Sequence, residues 1–319
     1  ISIIKNIAYV DGNKIPEEPE TTVKHHYTVE HYTENLDGRY SKVEKDTVVS
    51  ADVEIGTKVT YEANKYDGFT FDDSKTENKD ATVPDNNNLV VKLYYTRNSY
   101  SYTIKYVEEG NETNILKTTT GEAKYEEEID VTKETFEGYT YVRQDKEKIK
   151  IDTTNNIATV YYTRNSYNVT YEYEGEFPTG ASELPAKATY KYGESVTVAE
   201  DATAPGYTFS GWNHEDFTMP ANDVVIKGSF KANDDTQYKV EHYLEDLDGK
   251  TFTLKETETL AGKTDTTATA TPKQYPGFTY DSTVEGTKTS GTITGDGQLV
   301  LKLYYTRNSY NVTYEYEGE

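Results

Sequence analysis

The 319-residue sequence contains no cysteine, one methionine and one tryptophan. Without thiols the chain can form no disulfide, no cysteine-based metal site and no thiol nucleophile, so each small domain must be held by its core or by another cross-link. Lys and Asn are abundant enough for an intramolecular amide bond, but no signature singles out a pair. No apolar run approaches the about 18 residues that mark a membrane-spanning helix. Basic residues are scarce: 33 Lys and Arg face 56 Asp and Glu, for a net charge of −23. Such a surface repels phosphate backbones and anionic headgroups, so neither nucleic acid nor membrane insertion is expected, and self-repulsion argues for a monomer. What the chain does have is tyrosine, 31 of them. A Tyr ring buries apolar area while its hydroxyl stays wet or bonded, which suits thin, half-exposed sheets. With β-branched residues at most other apolar positions, a mainly β fold is predicted, an α+β arrangement being left open.

The strongest signal is internal repetition. Sixteen residues, YYTRNSYNVTYEYEGE, occur at 161–176 and again unchanged at 304–319, and LYYTRNSY occurs at 93–100 and 303–310. Four copies align on three features. Each opens with a period-2 strand: YTVEHY (27–32), YTIKY (102–106), YNVTYEY (167–173) and YKVEHY (238–243). In the third, Tyr167, Val169, Tyr171 and Tyr173 share one face, as a sheet buried on one side requires. Each then has an aromatic–Gly–aromatic turn, with Gly68, Gly138, Gly206 or Gly277 supplying a backbone angle or close approach that a side chain would block. Each closes on an apolar strand: LVVKLYY (89–95), ATVYY (158–162), VVIKGSF (224–230) and LVLKLYY (299–305).

The modules are placed at 26–99, 100–166, 167–233 and 234–309, with 310–319 opening a fifth. Residues 1–25 read as the end of a preceding domain followed by a charged linker, and the array is expected to be a segment of a longer polypeptide. Modules 1–2, 2–3 and 4–5 are joined by Thr-Arg-Asn-Ser, and three of the five arginines sit there: Arg97, Arg164 and Arg307. A guanidinium can stack on an aromatic ring and pair with a carboxylate at once, so these residues are candidates for fixing one module against the next. The 3–4 connector, KANDDTQ at 231–237, is longer and has no Arg, so a hinge is expected near Asn233–Thr236.

Module 3 resembles a known pattern through Gly193, Gly206, Gly211, Trp212, Met219 and Pro220. It looks like the SHIRT domains and the Listeria–Bacteroides repeats of Gram-positive surface proteins. Modules 1, 2 and 4 resemble mucin-binding-protein (MucBP) repeats through Tyr-x-Val-x-x-Tyr, the Gly–aromatic turn and the final Tyr-Tyr. The resemblance implies tandem β-grasp-like modules strung as an elongated rod in a cell-wall-anchored or secreted extracellular protein. Host glycans or mucins are partners implied by the family label and by no residue of this sequence.

Candidate chemistry is thin. His31 and His242 occupy equivalent strand positions but lack partners at metal-ligand spacing, so they read as packing or solvent-facing residues. PDNNN (84–88), DLDG (246–249) and TGDG (294–297) have the composition of turns and not the spaced ladder of a calcium loop. No nucleophile elbow or carboxylate pair stands in a pocket-forming context, so neither an enzyme nor a cofactor is expected. Trp212 could stack on a sugar but reads first as core. The sequence therefore predicts a non-enzymatic stalk or adhesive repeat region. The alternatives are a glycan-binding module and an accessory region of a large secreted enzyme.

Overall fold

The computed structural model describes residues 9–10, 13–14 and 21–318. It divides into two compact units, Ile1–Thr163 and Arg164–Glu319. Most of the expected preceding domain lies outside the described residues. Lys24 and His25, read from the sequence as linker, instead pair antiparallel with Glu54 and Val53 of the first repeat.

The first unit holds repeats 1 and 2. In repeat 1 the opening strand Thr28–Glu34 lies parallel to the closing strand Val90–Arg97, with Val29 opposite Val91 and His31 opposite Leu93. Tyr40–Lys42 and Val48–Val49 flank the opening strand antiparallel, and Phe69–Phe71 flanks the closing strand. In repeat 2 the opening strand Ser99–Glu108 pairs antiparallel with Asn111–Lys124 and parallel with Ile157–Arg164, and Tyr139–Gln144 takes the far edge.

In the second unit, repeat 3 sets Ser166–Tyr173 between Ala188–Lys191 and Val224–Gly228, the last parallel to it. Repeat 4 sets Thr236–Glu245 between Phe252–Gly262 and Val300–Arg307, with Phe278–Tyr280 beyond. The order in the four-stranded sheets of repeats 2 and 4 is second, first, last, third, with first and last parallel. This is the mixed β-grasp-like order that the resemblance implied.

Parallel neighbours need a long crossover, and β-grasp folds usually make it with a helix. Here the crossovers of repeats 2, 3 and 4 each carry a small two-stranded sheet: Glu128–Asp130 with Lys148–Lys150, Ser195–Val196 with Phe217–Thr218, and Thr267–Thr269 with Ser290–Thr292. Among the described residues there is no α-helix, only the 3₁₀ turns Glu44–Asp46 and Asp73–Lys75. The crossover sequences are rich in β-branched residues and carry no 3.6-residue apolar stripe, so the α+β option is not taken.

Each core is a strip of alternate strand positions under one sheet face. Val29, Val91, Leu93 and Tyr95 are buried in repeat 1, and Val240, Leu301, Leu303 and Tyr305 in repeat 4. The closing tyrosine does more than fill space. Tyr95, Tyr162 and Tyr305, each 0–1 % exposed, accept the crossover N–H of Asn64 (2.8 Å), Glu134 (2.9 Å) and Lys273 (2.9 Å). In repeats 1 and 4 the same hydroxyl meets a buried histidine: His31 Nδ1 lies 2.7 Å from Tyr95 OH and His242 Nδ1 2.9 Å from Tyr305 OH. Because Lys273 N–H already occupies the Tyr305 oxygen as an acceptor, the hydroxyl proton is free to donate to His242 Nδ1. The ring then carries its proton on Nε2, facing Glu258 Oε2 at 2.8 Å. Burial pushes the His31 pKa down, because charging the ring there costs solvation.

Repeat 3 solves the same problem differently. Its closing strand has Gly228 where repeat 1 has Leu93, and a Cβ there would fall 2.2 Å from the Phe209 ring. The strand also breaks after Gly228, and Phe230–Ala232 pairs separately with Tyr207–Phe209. Phe230 has no hydroxyl, and Trp212 and Phe209 fill the space with rings instead.

Replacing Tyr305 by Phe should lower the stability of repeat 4 by about 1–3 kcal/mol, because it strands a buried N–H and a buried ring nitrogen together. The equivalent change in repeat 3 already exists as Phe230, so Phe230→Tyr should give no comparable gain. Chemical denaturation of single-repeat variants checks both.

Candidate functional site at the repeat joints

Polar side chains and one recurring backbone pattern meet at the 1–2 and 3–4 joints. All four turn glycines have left-handed φ: +79° at Gly68, +74° at Gly138, +75° at Gly206 and +83° at Gly277. The carbonyl of three of them takes the N–H of an asparagine just past the closing strand: Asn98 to Gly68, Asn233 to Gly206 and Asn308 to Gly277, each at 2.9 Å. The Thr two residues after each Gly then binds the same Asn side chain, Thr70 Oγ1 to Asn98 Oδ1 at 2.8 Å and Thr208 Oγ1 to Asn233 Oδ1 at 2.6 Å. The asparagine carbonyl reaches onward. Asn98 O accepts Tyr125 N–H at 2.8 Å, and Asn233 O accepts Thr264 N–H at 2.9 Å. The residue after each of these donors, Glu126 or Asp265, is left-handed at φ +64°. One Asn therefore ties its own repeat's Gly turn to a Lys–X–left-handed turn of the next repeat.

At the 1–2 joint Arg97 adds ionic contacts. Its Nε donates to Glu34 O (2.9 Å) and its Nη1 to Tyr125 O (2.7 Å) and Glu126 Oε2 (3.1 Å), with the guanidinium 4.9 Å from the Phe69 ring. The Arg97 side chain is 9 % exposed. The Arg97 bond is the main cause that holds the Glu126 pKa below its ordinary value. Burial raises Glu34, but the bonds it accepts from Arg97 N–H and Lys124 outweigh this and leave it lowered as well. The Tyr125 ring covers Gly68 so closely that a Cβ there would sit 2.2 Å from it.

The 3–4 connector is shorter than the seven residues read from the sequence. Lys231 and Ala232 are strand residues paired with Thr208 and Tyr207, and Thr236 already begins the next strand. Only residues 233–235 connect. In place of an arginine the joint uses threonine hydroxyls and a tyrosine–carboxylate bond. Thr264 Oγ1 donates to Gly206 O at 2.8 Å and lies 2.6 Å from Thr236 Oγ1, and Tyr207 OH bonds the Asp265 carboxylate. The backbones touch: a Cβ on Gly206 would fall 2.4 Å from Gly295 Cα.

The other two sequence-predicted arginines stand as follows. Arg164 Nη1 donates to Tyr192 O at 3.4 Å, and Asn165 O accepts Tyr192 N–H at 2.9 Å. Arg307 stacks 4.9 Å from the Phe278 ring, and its guanidinium side is exposed. The joint asparagines are the residues that sequence reasoning missed. Their signal was available, since each stands three residues after the last aromatic of the closing strand, at Tyr95, Tyr162, Phe230 and Tyr305.

Trp212 packs against the repeat 3 core, stacked on Tyr173 (centroids 6.0 Å, 7° between planes) and edge-on to Phe209 at 4.8 Å, with Nε1 donating to Glu200 O at 3.0 Å. Tyr173 stacks on its ring, and the residue is half-buried. The calcium-like stretches form turns: Asp248 Oδ1 accepts the N–H of Lys250 and Thr251, Asp296 Oδ1 that of Gln298, and Asn86 Oδ1 that of Asn88. Among the described residues no group of three or more His, Asp and Glu could hold a metal ion. Within the second unit an open cleft of about 660 Å³ borders the 3–4 joint, lined by Glu176, Phe177, Pro178, Tyr207, Asp265 and Asp296 among others.

Residues 167–239 match the family model of the Listeria–Bacteroides repeat domain, the kind read from the sequence of module 3. No characterised protein sequence matches the chain. Among solved structures it is similar to streptococcal SHIRT domains 3–4 from a cell surface protein, at 16 % identity over 42 % of this chain and 98 % of that one, with a TM-score of 0.18. It is also similar to Mub-RV, at 12 % identity over 65 % of this chain and 98 % of that one (TM-score 0.19). A third is the two B repeat units of the Staphylococcus aureus collagen-binding protein, at 11 % identity over 90 % of this chain and all of that one (TM-score 0.16). Superpositions this loose carry no argument about function. What the comparisons show is a likeness of residues 167–239 to the Listeria–Bacteroides repeat domain.

Proposed function

We propose that the chain is a non-enzymatic spacer region of a bacterial surface or secreted protein, an extracellular, monomeric rod that holds a binding domain away from the cell wall. The repeats at 26–99, 100–166, 167–233 and 234–309 act as its folding modules, with Gly68, Gly138, Gly206 and Gly277 shaping the turns and Arg97, Arg164 and Arg307 serving the joints. One observation carries the reading. Joints 1–2 and 3–4 differ in connector sequence and in charge, yet they make the same Gly–Asn–turn bonds. A connector that only tethered two domains would have no reason to keep that geometry. The repeat-domain match at 167–239 and the acidic surface support the extracellular setting.

Single-molecule distance distributions across joints 1–2 and 3–4 test the spacer reading. Both should be narrow, and small-angle scattering should report an extended monomer; a compact particle or a broad 3–4 distribution would refute it. A second reading, host glycan binding, rests on the cleft beside the 3–4 joint. Phe177 at its mouth is 57 % exposed, and three carboxylates without a basic partner among its lining favour neutral over sialylated or sulfated sugars. A glycan array comparing the chain with Phe177→Ala decides it: equal signals from the two proteins end the glycan reading.

Two further outcomes follow from the joints. Gly277→Val should cost about 1–2 kcal/mol from left-handed strain alone. Gly206→Val carries the same strain and must also push Gly295 away, so it should cost more and broaden the 3–4 distance distribution. Thermal melting of both variants provides the comparison. Glu34 and Glu126 have lowered folded-state pKa values, so their contribution is complete above the ordinary glutamate value of 4.5 and is lost as pH falls through the lower folded values. Acid should therefore loosen joint 1–2 before the cores unfold, and Glu126→Gln should flatten that response. Amide exchange at Tyr125 across pH reads it directly.

A further inference from the structure

His31 and His242 hold the same pose but not the same partners. His31 stacks on Tyr95 at 5.7 Å and His242 on Tyr305 at 5.8 Å, both with 30° between ring planes and Nδ1 at the tyrosine hydroxyl. Asn64 N–H occupies the Tyr95 oxygen at 2.8 Å, so that hydroxyl donates to His31 Nδ1 and leaves the ring proton on Nε2. In repeat 4 the corresponding Nε2–H meets Glu258 at 2.8 Å, and Lys273 pairs with that carboxylate at 2.9 Å. Repeat 1 has neither group. Val48 pairs with Val29 where Glu258 pairs with Val240, and Asn64 stands where Lys273 does. Among the described residues no acceptor meets His31 Nε2, although the residue is only 2 % exposed.

His31 and Val48 instead border a cleft of about 480 Å³, with Tyr27, Val29, Ser50 and Glu62 also in its lining. The lining defines what fits. It contains no Lys or Arg, so a ligand carboxylate in the place of Glu258 would lack the counterpart of Lys273 and would be repelled by Glu62. Nor does the ring charge readily to meet an anion, since burial pushes the His31 pKa down. The neighbouring hydroxyls are already engaged. Tyr27 OH donates to Thr60 O at 2.7 Å and accepts Thr60 N–H at 3.0 Å, and Ser50 Oγ donates to Ala51 O and accepts Tyr27 N–H, both at 3.0 Å. A ligand hydroxyl on Nε2–H would bury its own proton without an acceptor, whereas a carbonyl oxygen brings no proton. Val29 and Val48 offer apolar surface for a methyl group beside that oxygen.

We propose that this cleft of repeat 1 binds the acetamido group of a small neutral ligand, with its carbonyl oxygen accepting His31 Nε2–H in the place that Glu258 takes in repeat 4 and its methyl packed on Val48. An N-acetylated amino sugar and an N-acetylated amino acid both carry that group. The site lies within the first unit, and it stands or falls separately from the spacer reading and from the cleft beside the 3–4 joint.

The test titrates the full chain with N-acetylglucosamine and with Nε-acetyllysine, using glucose, lysine and acetate as controls, and follows the imidazole nitrogens by NMR. An acetamido compound should shift the His31 signals saturably while those of His242 stay in place, and the tighter of the two names the source. Val48→Glu, at a position 54 % exposed, rebuilds the carboxylate of repeat 4 and should weaken binding by about tenfold or more without changing the melting of the chain. Val48→Gln, which brings a carbonyl without the charge, should do the same. A chain whose His31 signals respond to neither compound, or respond equally to glucose or acetate, would overturn the proposal, as would binding that survives both substitutions.

Discussion

One residue separates the closing strand of repeat 1 from the opening strand of repeat 2, and this shortness governs much of the structure. The polar backbone groups at such a junction lie too close to two folded bodies to be left to bulk water, and each must find a partner nearby. Asn98 meets the demand by facing both ways, its N–H toward the Gly turn behind and its carbonyl toward the turn ahead. Asparagine suits the position because its short amide can also take a local hydroxyl, here Thr70 and at the other joint Thr208. Once that residue is fixed, the Gly carbonyl must point at it, and a left-handed glycine in the aromatic turn supplies the direction.

The cores impose the complementary constraint. A repeat of this size without disulfides buries only a narrow strip of side chains, so large rings carry the burial, and a buried tyrosine oxygen must be satisfied. The closing tyrosines of repeats 1, 2 and 4 use that oxygen to catch the crossover backbone, so the longest irregular segment of each repeat is tied to its most buried strand. This explains why a helix-free crossover is tolerated. Repeat 3 lacks the hydroxyl and replaces the latch with ring contacts among Phe209, Trp212, Phe230 and Tyr173, which Gly228 makes room for. Polar and aromatic devices thus close the same fold in neighbouring repeats.

Much of this was legible in the sequence, for identifiable reasons. Exact repetition pointed to an array, and strict alternation marked the faces of the opening strands, because both are one-dimensional signals. The turn glycines were visible from their aromatic flanks. The buried histidines could be paired with each other by position but not with Tyr95 and Tyr305, since a contact across 63 or 64 residues leaves no local mark. The joints were read through their arginines because Arg is rare in this chain. The asparagine escaped notice because its neighbours change from Thr-Arg to Lys-Ala. The same change made Lys231 and Ala232 look like linker, although they add two more pairs to a strand that Phe230 begins.

Two chemically different joints on one scaffold respond differently to the solvent. The Arg97–Glu126 contact is nearly closed to water on the arginine side, so salt screens it less than it screens a surface pair, yet acid removes it. The 3–4 joint depends on threonine hydroxyls, on two glycines in backbone contact and on the bond from Tyr207 OH to the Asp265 carboxylate. Its weakness is steric, because no side chain fits at Gly206 or Gly295 without moving the opposing backbone. An ionic joint tolerates sequence drift around it and fails in acid. A backbone joint fails on a single methyl group. An array that combines the two keeps some of its joints intact under conditions that would loosen a uniform one, and the acidic surface need not supply the adhesion between its parts.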